Sequence, residues 1–146
     1  MDTTTTRYPG PLEIDDAKSK FAITSLKDNP FHREGLRSFV EYRDLGLAAA
    51  TDGRIGAKHI RAIRPFDQET GWHWHDMDGH FVYVLKGWVR FQFQGVVDPV
   101  TVEAGSCISQ PGGVPHNVIG QSDDLEIIEI NLPASYATVD LPAKAP

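Results

Sequence analysis

The sequence is poor in cysteine and in positive charge, and it has no long apolar run. Cys107 is the only cysteine in 146 residues. This excludes an intrachain disulfide and is typical of a reducing compartment, so a cytoplasmic protein is predicted. The 14 Lys and Arg residues are outnumbered by 20 Asp and Glu, giving a formal net charge of −6. Because nucleic acid and anionic membranes are bound by positive patches, neither is an expected partner. The opening MDTTTTRYPG also lacks the apolar stretch of a signal peptide or a membrane span.

A long helical period is absent after Leu36, where short apolar stretches alternate with turn-forming residues. Trp88–Gln94 shows this best, because Val89, Phe91 and Phe93 alternate with polar residues and so share one face of a strand. The predicted strands, rich in Val, Ile, Phe and Tyr, are Ser38–Tyr42, Ala57–Ile63, Phe81–Leu85, Trp88–Gln94, Thr101–Val102, Cys107–Ser109, His116–Ile119 and Leu125–Ile130. Such a series predicts an all-β antiparallel sandwich or barrel.

Residues 1–35 differ in composition from the rest of the chain. They are rich in Thr, Pro, Asp and Lys and have no sustained apolar period, which predicts an extended arm with one short strand around Phe21–Ile23. The predicted organisation is therefore an N-terminal arm, residues 1–35, followed by one β-barrel domain, residues 36–146.

Four of the six histidines lie at spacings that suit a metal site. His73 and His75 are one residue apart, so on a strand they point to the same face, with Cα atoms about 6.6 Å apart. His80 follows a turn-like tetrapeptide, and His116 follows the Pro- and Gly-rich segment 111–115. Imidazole nitrogens bind zinc at about 2.0–2.1 Å, and a closed barrel can bring these strands together. The pattern predicts one divalent metal ion bound by these four residues.

The same residues resemble the two sequence motifs of the cupin superfamily. The first motif is matched by His73-Trp74-His75, four residues, His80, six residues and Gly87. The second motif is matched by Gly105, five residues, Pro111-Gly112-Gly113, two residues and His116. The resemblance extends over roughly Ala57 to Leu132. It implies a jelly-roll-like, double-stranded β-helix barrel with the metal inside one mouth.

One position departs from the motif in a way that alters the chemistry. Cupins often have Glu where this chain has His80, and four neutral imidazoles leave the charge of a divalent ion uncompensated. Such a site is a stronger Lewis acid and favours an anionic ligand such as an enolate. Two alternatives stay open. His80 could act beside a three-histidine site as an orienting or acid–base group, or the barrel could have lost its metal.

Other residues are candidates for the cavity. Val82 is in phase with His80 and is expected to line it. The candidate catalytic residues are Gln110, which is expected to reach the pocket mouth, and Glu129, a possible general base. If the strand face of Glu129 does not point inward, this residue is an exposed carboxylate instead. Cys107 is expected to be a small buried hydrophobe.

The expected substrate follows from the expected walls and ion. Imidazole suits zinc, copper, iron and nickel; zinc is favoured here, with iron, nickel or manganese as alternatives. Apolar walls predict a hydrophobic small molecule, such as a β-dicarbonyl that chelates the ion. Barrels with exposed aromatic strands commonly pair, so a homodimer is predicted. Tyr83–Val89 and Ser122–Glu126 resemble small bacterial cupins that include cyclases of aromatic polyketide pathways, which implies an aldol-type polyketide cyclase. The alternatives are an iron dioxygenase that cleaves a β-diketone, and a binding module without turnover.

Overall fold

The computed structural model describes residues 10–142. The strands in this part of the chain are β1 Val40–Asp44, β2 Gly56–Ala62, β3 His73–His75, β4 Gly79–Lys86, β5 Trp88–Phe93, β6 Val100–Glu103, β7 Cys107–Gln110, β8 His116–Gln121, β9 Glu126–Leu132 and β10 Thr138–Asp140. The helices are α1 Leu47–Ala50 and a 3₁₀ turn at Ile14–Asp16. No helix between residues 10 and 142 is both long and apolar enough to cross a membrane.

The strands form two five-stranded antiparallel sheets. The first sheet has the order β1-β2-β9-β4-β7 and the second the order β10-β3-β8-β5-β6. Strands distant in sequence are therefore neighbours in space; β9, for example, pairs with both β2 and β4. This exchange of strands between two packed sheets is the jelly-roll arrangement. The predicted all-β, cupin-type barrel is confirmed.

The inward residues of the first sheet fall into three rows, because residues directly opposite in antiparallel strands share a face. The polar row consists of Gly56, Asn131, His80 and Gln110. The charged row consists of Asp44, Lys58, Glu129, Val82 and Ile108. The apolar row consists of Tyr42, Ile60, Ile127 and Val84. Polar chemistry is thus concentrated at one end of the barrel and the apolar core at the other.

The second sheet closes the barrel opposite these rows. Val89, Phe91 and Phe93, predicted to share one face of β5, are all buried and belong to the core. β8 lies between β5 and β3 and places His116 opposite Phe93 on one side and His73 on the other. The strand phase that builds the core therefore also turns these two histidines inward.

Two expectations from the sequence are corrected, and one strand was not predicted. The predicted strand at Phe21–Ile23 is absent: both end residues are more than three-quarters exposed, at 77% and 83%, and no neighbouring strand pairs with them. β10 was not predicted, because three residues carry no usable periodicity. Cys107 is exposed rather than buried. It lies on the edge strand β7 and pairs with Tyr83 of β4, whose side chain faces outward. The division of the chain at residue 35 stays a prediction.

Candidate metal centre and cavity

Three buried histidines come together between the sheets. β3 carries His73 and His75 on one face, and β8 carries His116 directly opposite His73. The ring centroids of His73 and His116 are 4.4 Å apart, and the His75 centroid lies 5.0 and 5.1 Å from them. One ligand atom of each residue lies within 4.8 Å of those of the other two. Within residues 10–142, these are the His, Cys, Asp or Glu side chains close enough to share one metal ion.

Hydrogen bonds at Nδ1 orient two of these rings. Nδ1–H of His73 donates to the carbonyl oxygen of Gly71 at 2.7 Å, and Nδ1–H of His116 donates to that of Val114 at 3.0 Å. Because a carbonyl only accepts, these contacts set the tautomer and leave the lone pair on Nε2 for a ligand. This is the arrangement that metal-binding histidines usually have, so the residues present fit a divalent ion.

The third ring, that of His75, is oriented by a residue of β10, a strand that was not predicted from the sequence. Nδ1 of His75 lies 2.8 Å from Oγ1 of Thr138 on β10. Tyr136 packs edge-on against the same ring, with centroids 5.3 Å apart. Both contacts depend on the pairing of β10 with β3, which no local pattern in the sequence predicts.

All three rings are held neutral by burial. Burial, reinforced by the neighbouring His116, lowers the pKa of His75 to about 3. Burial also lowers the pKa of His116 to about 4, although its hydrogen bond to Val114 opposes this. The pKa of His73 is likewise lowered, chiefly by burial. Neutral imidazole is the form that coordinates a metal, so the cluster does not have to lose protons near neutral pH before it binds an ion.

His80 lies beside this cluster and faces a carboxylate. Its ring centroid is 5.3 Å from that of His75 and 6.3 Å from that of His116. Its Nε2 lies 3.0 Å from Oε2 of Glu129. The group of ligand atoms within 4.8 Å of one another does not include His80. The role of His80 as a fourth ligand therefore stays a prediction, and its contact with Glu129 suits the alternative acid–base role.

Glu129 points into the barrel from the charged row. Its side chain is 18% exposed, and Nδ2 of Asn131 lies 3.5 Å from its Oε1. Burial raises the pKa of Glu129, but the hydrogen bond and charge of His80, together with Lys58, outweigh this and lower the pKa below its ordinary value. An ionised carboxylate therefore lies one hydrogen bond from His80.

A cavity of about 250 Å³ extends from the three histidines into the barrel. Its apolar lining includes Val82, Val89, Phe91, Val118 and Ile127. Gln110 also lines it, next to His80 in the polar row, and its buried Oε1 has no hydrogen-bond partner among the described residues. A mostly apolar space with a few convergent polar groups is typical of a small-molecule site.

Gly35, at the end of the arm, and nearby Arg37 line this cavity, which the sequence did not indicate. The Arg37 backbone N–H donates to Oη of Tyr42 at 2.8 Å. Gly35 lies so close to the Tyr42 ring that a Cβ there would overlap it. Burial lowers the pKa of the Arg37 guanidinium. These contacts form only when residues 35–37 lie against the barrel, so no motif in the sequence predicts them.

Comparisons with known proteins agree with this fold. The cupin domain family matches residues 61–131, which include the three clustered histidines and Glu129. No curated protein matches the sequence significantly. The polyketide cyclase RemF from Streptomyces resistomycificus superposes with a TM-score of 0.65 at 17% identity, over 83% of this chain and 85% of that one. KdgF from Halomonas sp. superposes with a TM-score of 0.60 at 13% identity, over 77% and 94% of the two chains.

Oxalate decarboxylase from Bacillus subtilis is a third similar structure, with a TM-score of 0.61 at 18% identity. The superposition covers 81% of this chain but 31% of the decarboxylase, so this chain spans about a third of that protein. At these identities the likenesses show the fold. The family match identifies a cupin domain at residues 61–131, and this domain carries the three-histidine site.

Proposed function

We propose that this cupin is a metal-dependent enzyme acting on a small, enolisable β-dicarbonyl or polyketide-type molecule, and that it is an aldol-type cyclase. The observation that carries the proposal is the placement of a three-histidine site in an apolar cavity, with an ionised carboxylate beside it. A divalent ion held by the histidines, for which we propose zinc, supplies the Lewis acidity that polarises a chelating carbonyl.

Glu129 is the proposed base and His80 its partner. The Glu129 carboxylate takes a proton from the carbon between two carbonyls, and the hydrogen bond from His80 holds the carboxylate in place. The carbanion then attacks a second carbonyl carbon of the same chain, forming the new C–C bond. Glu129 returns its proton to the resulting alkoxide, and loss of water aromatises the ring. No oxidant enters this sequence, because every electron pair stays within the substrate and the released water.

Two other side chains suit an enolate in the same place, and a third suits the neutral enol. Arg37 and Lys58 line the cavity, and positive charge favours the anionic enol form over the neutral ketone. Gln110 offers an acceptor, Oε1, to an enol O–H. The choice of cyclisation over other enolate chemistry is supported by RemF, a polyketide cyclase with the same fold and nearly the same extent.

The test is to supply the metal-analysed protein with a poly-β-ketone mimic in an oxygen-electrode chamber and to follow the products by mass spectrometry. Cyclised product formed at the same rate with and without oxygen is the expected result. Stoichiometric oxygen uptake with cleaved acids as products would instead identify an iron dioxygenase. Metal bound in full without turnover of any enolisable substrate would identify a binding module.

A further inference from the structure

The end of the cavity away from the three histidines carries a polar group that the proposed reaction does not use. Gln121 ends β8 and lines the cavity together with Val89 and Leu125. It is 8% exposed, and its Nε2 has no hydrogen-bond partner among residues 10–142. Native proteins leave few buried N–H groups unpaired, so one that faces a cavity points to a ligand.

An irregularity in β8 turns Gln121 inward. Phe91 pairs with Val118, whereas Arg90 pairs with Gly120, so Ile119 is an extra residue on β8. Such a bulge shifts the alternation of the strand by one residue. Without it, Gly120 would face the cavity and Gln121 would face the opposite side. Because of the bulge, the amide of Gln121 faces the cavity where Gly120, which has no side chain, would otherwise lie.

We propose that Gln121 forms a distal subsite, which binds an oxygen atom at the far end of the substrate. The unpaired Nε2–H donates to a carbonyl or phenolic oxygen, and the surrounding apolar side chains strengthen that hydrogen bond by excluding water. The identity of the near end, a chelating β-dicarbonyl at the histidines, rests on the proposed function.

The position of the distal subsite also sets the length of the ligand. Gln121 follows His116 by five residues on one strand, and a rise of about 3.3 Å per residue separates their Cα atoms by at most about 16.5 Å, less where the bulge shortens the strand. A molecule that contacts both ends is therefore elongated, with apolar carbon between two oxygenated ends. This describes a fused aromatic or a poly-ketone chain, and it excludes a short diacid.

Naphthol and naphthalene test the subsite, because they differ only in one hydroxyl and neither contains a β-dicarbonyl. The full-length ¹⁵N-labelled protein is titrated with each probe, and the Gln121 side-chain amide resonances are assigned by their loss in Gln121→Leu. Naphthol is expected to shift these resonances and to bind about three- to tenfold more tightly than naphthalene. Asn117, a buried amide already bonded to Glu69, serves as the control whose resonances stay in place.

Gln121→Leu is expected to bind both probes with equal affinity, because it keeps the apolar volume and removes the donor. If this variant does not fold, Gln121→Glu assigns the resonances instead. Unshifted Gln121 resonances up to the solubility limit of naphthol, or equal affinity of the wild type for both probes, would overturn the distal subsite. Since the probes do not chelate, the absence of cyclase activity together with a naphthol-induced shift would remove the proposed function and leave the subsite intact.

Discussion

Each clustered imidazole has its Nδ1 occupied by a hydrogen bond, which leaves one nitrogen for a ligand. His73 and His116 donate to carbonyl oxygens, and His75 contacts the Thr138 hydroxyl. Because all three rings are oriented before any ion arrives, binding requires little rearrangement of the rings. The metal affinity of the site should therefore depend on all three residues together.

Replacing His73, His75 or His116 with Ala is expected to abolish stoichiometric binding of a divalent ion, because two imidazoles hold an ion far more weakly than three. Metal content after dialysis, measured by mass spectrometry, checks this. The matched control is His59→Gln, since His59 lies outside the cluster and contacts Glu126. Full occupancy with unchanged affinity in any one of the three Ala variants would remove that residue from the site.

Glu129→Gln is expected to lower kcat by about 10²–10⁴, because it removes the proton acceptor and keeps the shape of the side chain. The metal content should stay at the wild-type level, since Glu129 is not one of the clustered side chains. Glu126→Gln, three residues earlier on the same strand, is the control and should keep its activity. A Glu129→Gln enzyme with a wild-type rate would show that another group takes the proton.

The two roles open to His80 give different outcomes for His80→Gln. Because its Nε2 bonds to Glu129, we expect the variant to keep an ion on the other three histidines and to lose activity. Metal analysis and turnover are measured on the same preparation. Loss of the ion would instead make His80 the fourth ligand.

Among the structural elements, those with clear alternation were the predictable ones. Trp88–Gln94 alternates and is bounded by Gly87 and Gly95, and β5 lies there. No alternation in the sequence predicts the bulge at Ile119, because the bulge depends on the pairing of β8 with β5. The motif spacing located the histidines, but the contacts of Arg37 and Thr138 depend on segments distant in sequence and could not be predicted.

The outward face of β4 is the strand surface on which we expect a second copy of this chain to pack. Tyr83 and Leu85 are 43% and 46% exposed, and Phe81 is in phase with them. Ile128 and Ile130 of β9 lie opposite Tyr83 and Phe81, which extends the apolar surface. A contiguous apolar patch of this kind commonly marks a protein–protein interface.

Leu85→Lys is therefore expected to convert a homodimer into a monomer, because it places a charge in the apolar interface. Light scattering coupled to size exclusion measures the mass in solution. Val97→Lys, at a 98% exposed residue in the loop between β5 and β6, is the control and should leave the dimer intact. A wild-type monomer would contradict the dimer, and a dimeric Leu85→Lys would place the interface elsewhere.

For the whole molecule, the lowered histidine pKa values link stability to pH. The unfolded chain takes up protons on these histidines near pH 6.5, whereas the folded pKa values of His75 and His116 are about 3 and about 4. Below about pH 6.5 the unfolded state binds more protons, so the free energy of unfolding falls as the pH falls. The loss continues until the folded pKa values are reached.

Thermal melts of chelator-treated protein between about pH 7 and pH 5 should therefore show a falling Tm, in a range where ordinary carboxylates titrate little. At a fixed neutral pH, added zinc should raise Tm, because an ion that binds only the folded chain stabilises it. His75→Gln, which cannot titrate at this position, should show a shallower dependence on pH. A flat Tm across this range in the metal-free wild type would contradict the link.

The three rows of the first sheet arrange the barrel in layers, each with one residue from every strand that crosses it. A substitution at Ile127 or Ile60 in the apolar row changes the depth of the cavity without replacing His80 or Glu129. In the proposed enzyme, the reaction and the length of the substrate therefore depend on residues in different layers of the barrel. Variants of this barrel can diverge to accept molecules of different length while their chemistry stays the same.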